Sequence, residues 1–276
     1  MPTAPRNDRH QPHLNSSRSS RSSRTNLFAV KFGTNFEMSP ARGHDAPMPR
    51  RRRAIIPGVP HHVTQRAAHG RYIIETNDSK AILIDLLAQW ANRTGVLVGG
   101  FVLMNNHFHM CLTPPSEDAL SLMIGRATAF LSRWINVGLR DVGPNWQGAF
   151  YAAPMDDEHT IAALRYIERN PVAAKLTSNP CDWRWSSAAW HAGLGPKPAI
   201  ISTDYRPCAE IKAWRDSLDI EQPELLRRKI HAATTNGDPL ADDQWIDRME
   251  AVLGRPLRRR PRGRPPENGP GGTGLI

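Results

Sequence analysis

The chain is poor in cysteine, in acid and in long apolar runs. Its three cysteines, Cys111, Cys181 and Cys208, lie far apart and form no CxxC pair. That excludes a disulfide scaffold and a zinc knuckle, and fits a reducing cytoplasm. No apolar stretch approaches the roughly 20 residues that span a bilayer, and the first charges are not followed by an apolar core, so neither a membrane anchor nor a secretory leader is read. Acids are outnumbered, 26 against 36 Lys and Arg, for a net charge of +10. Most of the cations are arginine, the better side chain for phosphates and base edges. Together with eight tryptophans this balance points to a nucleic-acid partner. The plainer reading is that basic tails aid solubility. Apolar residues make up 39%, below the usual globular share, and the deficit sits at the two ends.

The order of segments follows from periodicity. Residues 1–47 form a basic Ser/Arg-rich leader, with Arg-Ser repeats over 16–24 that cannot bury a core. It reads as disordered, and Met48 offers a second start. His61–Arg66 has strand character. Asp78 or Ser79 can cap a helix from Lys80 to about Asn92, which Gly95 stops. Two strands follow, around Gly99-Gly100 and Asn105-Asn106, then an amphipathic helix over 118–139. Trp146–Tyr151 reads as a further strand. Asp156-Asp157-Glu158-His159 resembles a metal cluster but precedes an apolar-periodic segment, where carboxylates cap a helix and complement its dipole. That helix, from Thr160, is expected to end at Asn170-Pro171. The order predicts an α+β fold, an antiparallel sheet with helices packed on one face. A helical extension covers 191–253, with helices at about 224–234 and 241–253, and a disordered Arg/Pro/Gly-rich tail covers 254–276.

His107-Phe108-His109 carries the chemistry. On a strand, residues two apart share a face, so the two imidazoles sit side by side and Phe108 faces the core. This is half of a metal site, or two histidines on a partly exposed strand. Tyr166 and Asn170 are four apart and share a helix face. A tyrosine can form a covalent intermediate, but with an ordinary pKa near 10 it needs help from a cation or base. The plainer reading of Tyr166 is a half-buried aromatic.

Taken in order, Pro57-Gly58, His62-Val63-Thr64-Gln65-Arg66, Leu103-Met104-Asn105-Asn106-His107-Phe108-His109, Trp146-Gln147-Gly148, Tyr166-Ile167-Glu168-Arg169-Asn170-Pro171-Val172 and Trp183-Arg184-Trp185-Ser186-Ser187 resemble the REP-associated tyrosine transposases, a branch of the single-tyrosine HUH transposases. The resemblance covers 48–190. It implies a ferredoxin-like sheet, His107, His109 and Asn170 as metal ligands, and Tyr166 as nucleophile. It also implies a divalent cation, magnesium or manganese, and strand transfer on single-stranded hairpin DNA through a 5′-phosphotyrosine. The branch implies a monomer acting in cis, whereas other branches are dimers. Three positions depart from the family pattern: Asn105 stands for proline, Ala67 for glycine and Ala149 for arginine. They bear on DNA affinity more than on chemistry.

DNA contacts are expected from Gln65 and Arg66, from Arg50, Arg51, Arg52 and Arg53 as a phosphate clamp, and from Arg258, Arg259, Arg260, Arg262 and Arg264. Pro261–Pro265 looks like an AT-hook, since glycine flanked by arginines fits a narrow minor groove. The competing reading is a tail that touches phosphates without sequence preference. Single-stranded DNA can also stack on exposed aromatics such as Trp146 or Trp183. The expectation is a bacterial cytoplasmic, nucleoid-associated enzyme. The rival is a domesticated, non-catalytic protein that binds repeat hairpins; a hydrolytic metal nuclease is a third reading.

Overall fold

A computed structural model of the chain describes residues 53–202 and 211–258. The elements run β1 (His61–Arg66), α1 (Asn77–Thr94), β2 (Leu97–Leu103), β3 (His107–Thr113), α2 (Ala119–Leu139), β4 (Tyr151–Pro154), α3 (Asp157–Ala173), α4 (Ala188–His191), α5 (Ile211–Asp219), α6 (Glu224–Asn236) and α7 (Asp243–Leu253). The strands form one antiparallel sheet in the order β2-β3-β1-β4, the ferredoxin-like arrangement expected. Leader residues 1–47, the arginines 50–52 and 259, 260, 262 and 264, Cys208 and the AT-hook-like segment lie outside the described residues.

The pleat sorts the two cores. Val63, Phe101, Leu103, Phe108, Met110 and Leu112 face α1 and α2, with Leu83, Leu87, Leu120, Met123 and Leu131 from those helices. The other face is covered as well. Val102 and Cys111 meet Ala163, Leu164 and Ile167 of α3, Trp214 and Leu218 of α5, and Ile230 of α6. Helices therefore close both sides, and the segment read as an extension supplies part of the second layer, because an uncovered apolar face on this side would be costly in water. A β-bulge between Val98 and Gly100 switches which residues of β2 face each core.

Several local expectations shift. The cap of α1 is Thr76, whose hydroxyl accepts from Ser79 N at 3.1 Å, rather than Asp78 or Ser79. Gly95 ends α1 at φ 69°, in the left-handed region that glycine enters without a Cβ clash. The strand expected at 146–151 begins only at Tyr151; Trp146 makes an isolated bridge to Ala67. Asp156 does cap α3, its Oδ1 accepting from His159 N at 2.8 Å. Pro171 does not stop that helix, which continues to Ala173. The missing N–H falls in the last turn, where one bond is lost, and Pro171 is buried. The expected tail does not start at Gly254: Leu257 is fully buried against Ala54, Ile56 and Ile246.

The sequence motif at 183–187 edges the sheet. Leu103 N donates to Trp185 O at 2.8 Å and Ser187 N to Phe101 O at 3.0 Å, which covers the outer edge of β2. Glu168 of α3 is fully buried. Its carboxylate accepts from Ser187 Oγ at 2.5 Å, from Trp214 Nε1 at 3.0 Å and from His191 Nδ1. One side chain thus ties α3 to α4, α5 and the edge segment.

Candidate active site

Alternation along β1 and β3 builds the site. Antiparallel register sets Thr64 opposite His109 and Arg66 opposite His107, so His62, Thr64, Arg66, His107 and His109 share the sheet face away from Phe108. Across that face runs α3, presenting Tyr166 and Asn170. These residues line a cavity of about 660 Å³, together with Arg169, Lys175, Glu221, Arg227 and His231.

The four residues expected at the chemistry come together. The rings of His107 and His109 are 5.0 Å apart and nearly perpendicular, and His109 meets Tyr166 edge-on at 5.5 Å. Burial pushes the His107 imidazole down to about 4, with Arg66 adding to the shift while a hydrogen bond with Asn170 opposes it. His109 is lowered well below its ordinary value, chiefly by burial and then by the neighbouring His107 and His62. Both rings are therefore neutral at physiological pH, the form a metal ligand requires. Two neutral imidazoles beside an amide fit a divalent cation. No group of three or more His, Cys, Asp or Glu is placed to hold a metal among the described residues, so such a set needs Asn170. Burial raises the Tyr166 hydroxyl, while the Asn170 hydrogen bond and the charges of Arg227 and Arg66 pull it back down.

The expected DNA contacts fare differently. Arg66 is exposed at the cavity. Gln65 points to the other face, is buried, and donates to Gly148 O at 2.8 Å; its role is to hold the 146–150 segment, because a strand neighbour of Arg66 must face the opposite way. Arg53 donates to Phe150 O at 2.9 Å and stacks over that ring. Arg258 pairs with Asp243, Asp247 and Glu250, where three carboxylates compete with any phosphate. Both tryptophans named for stacking are half-buried and bonded into the fold. Trp146 Nε1 donates to Thr128 O at 3.1 Å and its ring packs edge-on against Phe108. Trp183 Nε1 donates to Leu103 O at 3.0 Å. Each indole is used to close the fold.

Four residues had gone unread. His62 stacks on His109 at 5.1 Å, and its own pKa falls to about 3, mainly through burial. It sat inside a quoted motif, and its spacing from Thr64 and Arg66 already put it on the site face. Arg227, His231 and Thr234 come from α6. Their spacing of four and then three gives them one helix face, the only signal that sequence offered.

No helix among the described residues is long and apolar enough to cross a membrane. Residues 59–170 match the family model described as "Transposase IS200 like". No curated protein matches the chain. Among solved structures, it is similar to a REP-associated tyrosine transposase bound to a REP hairpin, at 18% identity and a TM-score of 0.44, over 57% of this chain and 93% of that one. It is also similar to a protein assigned as a transposase from Deinococcus radiodurans R1, at 16% identity and a TM-score of 0.32, over 48% of this chain and 97% of that one. The stretch the family model covers includes β1, both site histidines, Tyr166 and Asn170, and over it the chain is similar to the IS200-like transposases, which supports a transposase-like role in DNA processing.

Proposed function

We propose that this protein nicks and rejoins single-stranded hairpin DNA through a covalent bond to Tyr166, as its resemblance to the REP-associated tyrosine transposases implies. The observation that carries the reading is the convergence of Tyr166, Asn170, His107 and His109 in one cavity edged by Arg66 and Arg227. His107, His109 and Asn170 would hold magnesium or manganese, and the ion when bound supplies Lewis-acid polarisation of the scissile phosphate.

The chain's own residues account for the remaining steps. Arg66 and Arg227 attract and orient the phosphate, since opposite charge strengthens in a partly water-excluded cleft. Their field also favours the phenolate. Asn170 fixes the Tyr166 hydroxyl next to the ligand set. Tyr166 Oη forms a bond to phosphorus and gives its proton to water. The P–O3′ bond breaks, and O3′ takes up a proton as the leaving hydroxyl. Reversal by a DNA hydroxyl rejoins the strand without an external energy source. Tyr166 reaches the histidines of its own chain, which supports a tyrosine acting in cis; the monomer is what the resemblance implies. A DNA substrate places the protein at the bacterial nucleoid.

The test incubates the full chain and Tyr166→Phe with 5′- and 3′-labelled hairpin DNA from the gene's flanks and manganese, followed by a denaturing protein gel. A band carrying the 3′-side fragment, absent in the variant, is expected. Binding without an adduct would turn the reading to a non-catalytic hairpin binder, and cleavage without an adduct to a hydrolytic nuclease.

A further inference from the structure

His109 uses one ring nitrogen inside the protein. Its Nδ1 lies 3.0 Å from His62 Nε2, and His62 Nδ1 lies 2.7 Å from Thr234 Oγ1. Thr234 Oγ1 lies 2.8 Å from Ile230 O. The chain of contacts crosses from β3 through β1 to α6, and every member is buried.

The proton order along this chain is fixed from its far end. A backbone carbonyl only accepts, so the single hydroxyl hydrogen of Thr234 goes to Ile230 O. Thr234 Oγ1 then accepts from His62 Nδ1–H. A neutral imidazole carries a single N–H, so His62 Nε2 then holds a lone pair and accepts from His109 Nδ1–H. The reverse order fails at one end: Thr234 would donate to His62, leaving two oxygens facing each other at 2.8 Å without a proton, at the cost of an unmade buried bond.

We infer that His62 and Thr234 are positioning residues that lock His109 as the Nδ1–H tautomer and so present its Nε2 lone pair to a divalent cation in the cavity. The ligand's identity rests on the function proposed above; the tautomer is a property of the protein alone. The relay also gives α6 a place in the site, because Thr234 is the residue that sets the direction of the whole chain. Orienting partners of this kind fix both the tautomer and the angle of a ligating imidazole.

The test is long-range proton–nitrogen correlation NMR on metal-free, full-length protein with labelled histidine, at neutral pH, joined to manganese titration calorimetry. In the parent, His109 should show a protonated Nδ1 and an unprotonated Nε2. Thr234→Val removes the acceptor at similar volume. It should give mixed His109 tautomers and weaken manganese binding by roughly 10- to 100-fold, the range typical for loss of an orienting partner. Thr234→Ser should restore both. A parent His109 protonated at Nε2 overturns the inference without any variant. So does Thr234→Val with parental tautomer and affinity. The expected tautomers without manganese binding to the parent would support the relay and overturn the metal in the proposed function.

Discussion

Replacing Glu168 by alanine should be among the most damaging single changes in the chain, although Glu168 touches no part of the cavity. Its carboxylate is fully buried and accepts three hydrogen bonds, from Ser187 Oγ, Trp214 Nε1 and His191 Nδ1. Glu168→Ala leaves Trp214 Nε1 and His191 Nδ1 buried and unpaired, and Ser187 Oγ with only a long contact to Phe101 O at 3.4 Å. Each unmade bond costs about 1–3 kcal/mol, so a loss of about 3–6 kcal/mol is expected after partial relaxation. Ser187→Ala removes one donor and the acceptor of Phe101 N at 3.1 Å, while Trp214 and His191 still satisfy the carboxylate, and should cost about 1–2 kcal/mol. The assay is urea unfolding followed by tryptophan fluorescence. With a slope of about 2 kcal/mol per molar, the Glu168→Ala midpoint should fall by roughly 1.5–3 M, and by less than about 1 M for Ser187→Ala. A Glu168→Ala midpoint within about 0.5 M of the parent would refute the network as a stabilising hub. A drop for Ser187→Ala as large as that for Glu168→Ala would refute the partition among its donors.

Other consequences are independent of that network. A methyl at Gly100 would collide with Leu164 Cδ2 and crowd Ser187 Oγ at 3.2 Å. Gly100→Ala should therefore cost about 1–3 kcal/mol by overpacking, shift α3 and slow adduct formation; an unchanged melting temperature and rate would contradict this. Asp156 receives His159 N at 2.8 Å and Asp242 N at 2.9 Å, linking the starts of α3 and α7. Asp156→Ala should cost about 1–2 kcal/mol by cap loss, read by thermal melting. Acid should destabilise the fold in a defined window. The unfolded chain binds protons at histidine below about 6.5, whereas His61 and His107 resist until about 4 and His62 until about 3. Stability is thus complete above about 6.5 and declines as pH falls toward 4, by up to about 3 kcal/mol for each of these histidines at 1.36 kcal/mol per unit. Urea midpoints that stay flat from pH 7 to 5 would contradict it.

Much of the sheet and the centre of the site could be read from the sequence, because period-two alternation and one helical spacing dictate them. His107 and His109 had to share a face, Tyr166 and Asn170 had to share a turn, and the segment order permitted the ferredoxin-like sheet. The rest depended on long-range partners. Nothing local marks Thr234 as the neighbour of His62, 172 positions away in sequence. Gln65 and Arg66 look alike as polar neighbours, yet the pleat sends one into the core and the other to the cavity. Pro171 is a helix breaker by local rules, but the contacts of α3 with the sheet hold its last turn together. Trp146 and Trp183 read as exposed aromatics, yet both are half-buried and their indole N–H groups donate to Thr128 O and Leu103 O. Leu257 and Arg258 sit in a composition typical of a tail, but one fills an apolar pocket and the other gathers three acids.

The central claim, that Tyr166 is the nucleophile, is tested most directly by mass spectrometry of the protein after reaction with hairpin DNA and manganese and then nuclease and protease digestion. The account predicts that the peptide containing Tyr166 gains the mass of a 5′-linked nucleotide, located on that tyrosine by fragmentation. Unmodified Tyr166 in a sample where the DNA has been cut, or a nucleotide attached to Tyr151 instead, would contradict it.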